Sequence, residues 1–319
     1  MLQDQRIAQR LKLRDLNTLR VVAERRSMAK AAKELGLTQP AVSKAIAEME
    51  RTLGVRLLDR SSRGIEPTVY GHTLLKWCGV VSDDLHQAVT ELRFLADSNA
   101  GELKIGAIAP MLQGLLPAIL DRVSYRYPRI TFEIMPGRSA SEQYRDLRER
   151  NIDLIIGRLV TVIEEDDLQI ERLFEEPMHV VAGINSRWAH RRSIRLAELV
   201  NESWIFPRPE PGPELVAWSW VVEAFRESGL NVPRTRFSTT AVPLQIAMLS
   251  TGRHLAMLPR SLICFGGKQL GIQILPVKVP VRPPPVGIVT LKKRTISPVA
   301  RLFIECAREV AKPLATRTR

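Results

Sequence analysis

No run of apolar residues in this 319-residue chain approaches the ~20 needed to cross a bilayer. The opening Met1-Leu2-Gln3-Asp4-Gln5-Arg6 leads into charge and lacks the apolar core of an export signal, so a cytoplasmic location is expected and no membrane partner. Cysteine is scarce. Cys78, Cys264 and Cys306 lie far apart, with no CxxC and no neighbouring His, which argues against a disulfide framework and against zinc. Each reads as a small buried residue. The five histidines (His72, His86, His179, His190, His254) form no HxxxH, HxH or HExxH set. GxSxG, GxxxxGKS/T and GxGxxG are also missing, and Gly266-Gly267-Lys268-Gln269 lacks the Walker spacing. The acidic run Glu164-Glu165-Asp166-Asp167 reads as a solvated loop. Nothing supports an enzyme, and neither a cofactor nor a metal is expected.

Positive charge, by contrast, is abundant. Lys and Arg number 47 against 34 Asp and Glu, a net charge of +13 that attracts polyanions, nucleic acid above all. Residues 1–67 hold fourteen basic against eight acidic side chains, and residues 292–319 hold eight against two. The first surplus fits DNA contact. The second reads as a solvated helix face.

The most informative stretch runs from Ser27 to Thr68. Ser27 is placed to cap a short helix with Ala31, Ala32 and Leu35 on its apolar face. Gly36-Leu37 closes it, and Thr38 caps a second helix with Pro40 in its first turn, where the missing N–H costs nothing. Val42, Ile46, Met49 and Leu53 face inward, leaving Gln39, Ser43, Lys44 and Glu48 outward. Two helices across a tight Gly turn describe either an ordinary αα-hairpin or a helix-turn-helix. Gln pairs with adenine, Lys reaches guanine N7 and O6, and Ser bonds base edges or phosphates. Leu13, Leu16, Leu19, Val22 and Ala23 supply a preceding amphipathic helix over 12–25, and residues 1–10 read as a loose basic arm.

After the second helix, Gly54–Arg60 and Ser61–Thr68 read as two short strands around a turn. Such a hairpin is a wing whose Arg60 and Arg63 can contact phosphates or enter the minor groove. The whole segment resembles the winged helix-turn-helix of the LysR-type transcriptional regulators. The matching residues are Ser27, Ala31-Ala32, Leu35, Thr38 to Ser43, Ile46, Glu50, Leu53-Gly54, Leu57-Leu58, Arg60, Arg63 and Thr68. Met28 and Leu58 stand where that family usually has Phe, and Pro67 where it has Leu. The resemblance implies that Ser27, Thr38, Gln39, Pro40, Ser43, Lys44, Arg60 and Arg63 form a DNA-binding surface.

Between Thr68 and Ser98, the residues Leu74, Cys78, Val81, Leu85, Ala88, Leu92 and Leu95 are spaced 4-3-4-3-4-3. That is a heptad seam, suited to pairing with its equivalent in a second subunit or to packing on the chain's own core. The resemblance favours pairing, because this family dimerises through such a linker helix. It also implies a dimer of dimers and contact with RNA polymerase. A two-fold pair of readers addresses pseudo-palindromic half-sites in double-stranded DNA.

Asp97 to Gly101 breaks the helix, and strands then alternate with helices: Leu103–Ala109, Ile130–Met135, Asp153–Gly157, Met178–Ala182, Trp204–Phe206, Thr235–Ser238 and His254–Leu258 are read as strands. Pro117 is tolerated in the intervening helix only within its first turn. The expected fold is α/β with an N-terminal winged helix-turn-helix, a linker helix, and, as the family implies, a two-lobed effector domain like a periplasmic binding protein. Residues 1–67 form the reader, 68–98 the linker and 99–319 the effector domain. Lobe I takes 99–160 and 269–319, and lobe II takes 161–268.

Ligands of open α/β sheets sit at the carboxyl ends of the strands. Those ends nominate Ala109, Pro110, Met111, Arg138, Ser139, Arg158, Arg208, Thr239, Thr240 and Pro259, with Arg260 beside them. The arginines suit a carboxylate or phosphate, so an anionic or polyhydroxylated small effector is expected. A solute-binding component with an N-terminal interaction module is the alternative, disfavoured by the missing export signal. The resemblance covers essentially the whole chain, and residues 160–268 are similar to regulators of sugar or aromatic-acid uptake and catabolism.

Overall fold

The fold is described from a computed structural model covering residues 7, 10–61, 64–137, 139–159, 166–207, 216–266 and 270–315. It separates into two compact units, Met1–Val89 and Thr90–Arg319, each built around its own core.

In the first unit, helices α1 (Leu13–Arg25), α2 (Met28–Leu35) and α3 (Gln39–Leu53) precede a hairpin of β1 (Leu58–Ser61) and β2 (Gly64–Pro67). Ser27 is extended and its hydroxyl accepts the Lys30 N–H at 3.4 Å, the expected cap. Gly36 sits at φ 63, letting the Leu37 N–H turn back to the Ala32 carbonyl at 2.9 Å. Thr38 caps α3 through the Ala41 N–H at 3.3 Å. Leu19, Val22, Ala31, Val42, Ile46, Met49, Leu57 and Ile65 make the core, with Met28 and Leu58 buried in it too. Leu13 departs from the expected apolar face: it is exposed, and Val21 is buried instead.

Wing and helices are tied by specific bonds. Glu50 Oε1 accepts the N–H groups of Leu57 (2.8 Å) and Leu58 (3.2 Å), and the Arg26 carbonyl accepts the Ile65 N–H at 3.1 Å. Glu50→Ala leaves two donors orphaned at the entry to β1. Its expected cost is about 2 kcal/mol in urea unfolding, with Glu50→Gln, which keeps an acceptor oxygen, losing less than half of that.

Helix α4 (Val69–Ala96) starts under a Thr68 cap, whose hydroxyl accepts the Gly71 N–H at 3.1 Å and donates to the Arg56 carbonyl at 2.7 Å. The division between the two units falls inside this helix.

The second unit holds two five-stranded sheets. The first is built from β3 (Ala100–Ala107), β4 (Arg129–Pro136), β5 (Leu154–Arg158), β6 (Leu168–Phe174) and β12 (Val286–Leu291), in the order β4-β3-β5-β12-β6. β3 is parallel to β4 and β5, while β12 runs antiparallel to both β5 and β6. Helices α5 (Ala109–Gln113), α6 (Leu115–Arg126), α7 (Ala140–Arg148) and, after β12, the amphipathic α11 (Pro298–Ala315) belong to this lobe. Pro117 lies in the first turn of α6, as its missing N–H requires. The second sheet is built from β7 (Met178–Gly183), β8 (Trp204–Phe206), β9 (Phe237–Ser238), β10 (Leu255–Pro259) and β11 (Ile272–Ile274), in the order β11-β7-β10-β8-β9. Helices α8 (Val216–Glu227), α9 (Val242–Ser250) and α10 (Arg260–Gly266) accompany it.

The topology corrects the lobe boundaries. β6 pairs with β12 and so belongs to lobe I, and β11 pairs with β7 and belongs to lobe II. The chain therefore crosses between the lobes at 175–177 and returns at 275–285, not near 160 and 268. β6 escapes a strand–helix–strand reading because it is an antiparallel edge strand with no helix after it. Between β7 and β8 the chain makes a single 3-10 turn, Leu196–Leu199.

Candidate functional site

In the reader, α3 presents two faces. Val42, Ile46 and Met49 are buried, while Gln39, Lys44 and Glu48 are exposed and Ser43 is half-buried. Pro40 stands in the first turn. Ser27 and Thr38, included among the DNA-binding residues, both spend their hydroxyls on helix caps. Arg60 lies in β1 opposite Ile65, and Arg63 lies outside the described residues.

The seam of α4 divides along its length. Leu74 packs on the reader core, Cys78 is buried and Val81 is half-buried. Burial pushes the Cys78 thiol up, which keeps it inert. Farther on, Ala88 is exposed and Leu85, Leu92 and Leu95 are 46%, 66% and 78% exposed. A stripe of that size is more than scattered surface leucines. Of the other cysteines, Cys306 is buried but Cys264 is exposed, contrary to the expectation that all three are buried.

In the second unit the carboxyl ends of the two sheets turn toward each other: α5, which leaves β3, packs against α9 and α10, which follow β9 and β10. Gly114 permits the contact, since a Cβ there would stand 3.0 Å from the backbone of Leu262. Most nominated effector residues gather at these ends. Pro110 and Thr239 are half-buried, Thr240 is exposed, and Ser139 caps α7 through the Glu142 N–H at 3.2 Å. Ala109 opens α5. Arg138 and Arg208 lie outside the described residues.

Three nominated residues have their side chains buried or engaged. Met111 is wholly buried in the lobe I core. Pro259 is buried too, in the last position of β10. Arg158 is the third, because three of its five N–H donors are engaged: Nη1 donates to the carbonyls of Glu176 (2.9 Å) and Pro284 (3.1 Å), and Nη2 approaches Met178 Sδ at 3.2 Å. Its guanidinium lies 4.7 Å from the centre of the Trp220 ring, a cation–π contact. Burial holds this guanidinium down to about 10.

Arg158 leads to a cluster that the sequence does not announce. Glu176, in the crossover between lobes, is buried, and its Oε1 accepts the Ser261 N–H of α10 at 3.0 Å. Burial pushes its carboxyl up, opposed in part by Ser261 and by the charges of Arg158 and Arg260. Glu176 Oε2, Ser261 Oγ and His179 Nε2 are buried and have no hydrogen-bond partner among the described residues, and burial also pushes the His179 imidazole down. No short motif connects residues 158, 176 and 261, so only the fold reveals the group. His254 bonds Ser203 Oγ through Nδ1 at 2.9 Å. Among the described residues no group of His, Cys, Asp or Glu is arranged to hold a metal, and no helix is long and apolar enough to cross a membrane.

Comparison with known proteins agrees with this division of labour. Residues 13–72 match the family model for the bacterial regulatory helix-turn-helix protein, lysR family, and residues 96–312 match that for the LysR substrate binding domain. The HTH-type transcriptional regulator GbpR of Azospirillum brasilense is 28% identical over 301 residues, 94% of this chain and 86% of the relative. Among solved structures, a full-length OxyR variant from Pseudomonas aeruginosa has a TM-score of 0.65 at 21% identity, covering 97% of this chain and 99% of its own. Full-length CbnR complexed with its target DNA has a TM-score of 0.53 at 23% identity, covering 94% and 100%. At such identities the two structures establish the fold, while the family matches establish the lineage. A winged reader followed by a two-lobed substrate-binding module is thus what both units present, and the chain belongs to the LysR family of DNA-binding transcriptional regulators, which are not enzymes.

Proposed function

We propose that this regulator reads a pseudo-palindromic duplex site as a cytoplasmic homodimer, with two dimers engaging one promoter, and that a small effector held between the lobes sets the arrangement of those dimers. The observation that carries DNA reading is the two-faced α3, with Gln39, Ser43 and Lys44 opposite a buried Val42, Ile46 and Met49. Gln39 and Lys44 are the base readers, Ser43 contacts a base edge or phosphate, and the wing arginines Arg60 and Arg63 add phosphate or minor-groove contacts. Ser27, Thr38 and Pro40 fix the helix ends so that backbone N–H groups face the phosphates. The exposed Leu85, Ala88, Leu92 and Leu95 support pairing of α4 with a second copy.

For the effector, Ser139, Thr239 and Thr240 offer hydroxyls and helix-start N–H groups, with Pro110 beside them as an apolar neighbour. They suit a polyhydroxylated or anionic compound from sugar or aromatic-acid metabolism. Calorimetry on the full chain with such compounds tests this reading; absence of heat across acids and sugars overturns it. RNA polymerase is the further protein partner that this reading implies.

The decisive experiment is selection of genomic fragments by the purified chain at ~150 mM salt, where purely electrostatic binding is suppressed. Enrichment of a pseudo-palindrome is expected; no enrichment overturns sequence reading. On the selected site, Gln39→Ala and Lys44→Ala each cost about 1–3 kcal/mol and relax specificity, whereas Arg63→Ala weakens all sequences alike. Equal losses on random DNA for all three place the recognition surface elsewhere.

A further inference from the structure

Charge is distributed unevenly within the second unit. Residues 90–177 carry eleven Lys and Arg against sixteen Asp and Glu, but residues 178–282 carry thirteen against six. Lobe II is thus a basic region in its own right, distinct from the reader. From Arg187 to Arg260 every one of its basic residues is arginine, the side chain whose planar fork matches phosphate oxygens.

The sheet register gathers much of this charge at one end. Ala182 and Gly183, at the close of β7, pair with Leu255 of β10 and Ile272 of β11; Trp204 of β8 pairs with Leu255, and Phe237 of β9 with Ile205. The exit of β7 and the entries of β8, β9, β10 and β11 therefore share an end, opposite the carboxyl ends that meet lobe I. Arg187 follows β7, Arg234 and Arg236 precede β9, and Arg253 precedes β10. Arg226 sits in the last turn of α8 as the chain returns to that end.

Close packing unites these segments. Gly252 lies so near Asn185 that a Cβ would stand 3.1 Å from its carbonyl, and Gln273 Nε2 donates to the Ala189 carbonyl at 2.7 Å, seating the turn with Arg191 and Arg192 against β11. Arg187 is paired with Glu202 and lies over the Trp188 ring at 5.2 Å, and Arg226 is paired with Glu227. Arg191, Arg192, Arg234, Arg236 and Arg253 are exposed and make no ion pair among the described residues.

We propose that this arginine-lined end of lobe II is a second, sequence-independent contact surface for the phosphate backbone of double-stranded DNA. It runs from the β11 edge to the β9 edge, four inter-strand spacings or ~19 Å. A duplex lying across it presents on the order of ten phosphate charges, counting both strands. The proposal rests on the chain's being a DNA-binding regulator. A duplex held by the reader is tethered to lobe II through the same polypeptide, and an effective concentration near millimolar makes weak phosphate contacts count. An acidic protein is the competing occupant. Duplex DNA is favoured because the arginines are spread over both edges of the sheet end instead of forming one pocket.

The test is fluorescence anisotropy of the full chain on a labelled random-sequence duplex of ~60 base pairs, from ~50 to ~300 mM salt. Replacing Arg191, Arg192, Arg234, Arg236 and Arg253 together by Ala lowers the slope of log K against log salt by about 0.9 for each phosphate contact removed. Affinity at ~100 mM salt falls at least tenfold. The same five positions changed to Lys retain the wild-type slope. The paired variants Arg191→Ala/Arg192→Ala and Arg234→Ala/Arg236→Ala each lower it by up to ~2, which covers the case in which the fivefold variant folds poorly. Identical slopes for wild type and both paired variants overturn the proposal and leave the surface to an acidic protein. Gln39→Ala with Lys44→Ala serves as the independent control. It lowers the preference for selected over random fragments without changing the slope difference made by lobe II, so failure of base reading and failure of this surface give different results.

Discussion

Gly71→Ala lowers the stability of the reader by about 3 kcal/mol or more and abolishes tight DNA binding. Gly71 lies in the first turn of α4 with its face against the wing. A Cβ built there stands 2.1 Å from the Leu57 carbonyl oxygen, 3.1 Å from the Leu57 carbonyl carbon and 3.2 Å from Pro67 Cβ. Helix propensity alone works the other way, since Ala is favoured over Gly by about 1 kcal/mol in a helix interior. The clash wins because the obstacle is backbone. Leu57 O also accepts the Thr68 N–H at 2.9 Å, and the Leu57 N–H is held by Glu50, so the strand cannot retreat without giving up these bonds. Relief comes by lifting α4 off the wing, which displaces the hairpin carrying Arg60. Urea unfolding together with anisotropy on a selected operator checks it. Gly79→Ala, eight residues further on in the same helix and with nothing among the described residues within 4 Å of an added methyl, is the control and is expected to be neutral or slightly stabilising. A Gly71→Ala protein as stable as wild type would mean that α4 and the wing move freely.

The contrast between these two glycines shows where the sequence is legible. Local chemistry can be read directly: Ser27 and Thr38 as caps, Gly36 at positive φ, and Val42, Ile46 and Met49 as the buried face of α3. Each depends on residues within about one helical turn. Gly71 reads as an ordinary helix residue because its obstacle, Leu57, is brought near only by the wing. The same limit governs the lobes. β6 and β11 fall on the wrong side of the expected boundaries because their partners, β12 and β7, lie far away in sequence and pair antiparallel, which leaves no strand–helix–strand signature. Arg158 does stand at the carboxyl end of β5, but strand-end position says nothing about whether its donors are free. Glu176 carries no signal at all. A Glu-Glu-Pro run looks solvated, and the partner that meets its buried carboxylate, the Ser261 N–H of α10, is distant in sequence.

Arg158→Met destabilises the effector-binding unit by about 3 kcal/mol, and the loss grows with pH. Two effects oppose each other. Removing a buried cation relieves desolvation, which is why hydrophobic replacement of buried ions is sometimes neutral. Against that stand two charge-assisted hydrogen bonds, to the Glu176 and Pro284 carbonyls, worth about 1.5–3 kcal/mol each, and the Trp220 contact. Methionine fills the volume but leaves both carbonyls without a donor, so the loss dominates. The pH dependence comes from Glu176. Its folded pKa is raised by burial, so the native state binds the proton more tightly than the unfolded chain. Its contribution is fully present below the ordinary value of 4.5 and is lost as pH climbs toward the raised one. The Arg158 charge works against that rise; without it the carboxyl goes higher and stability falls over a wider pH range. Glu176→Gln removes the titration while keeping an oxygen for the Ser261 N–H, and its amide can donate to the orphaned Ser261 hydroxyl. In the double variant the pH-dependent part of the Arg158→Met loss should vanish and the pH-independent part remain. Thermal melts of the three variants between pH ~5 and ~8 separate the two parts, and an Arg158→Met loss that is flat with pH would remove Glu176 from the account.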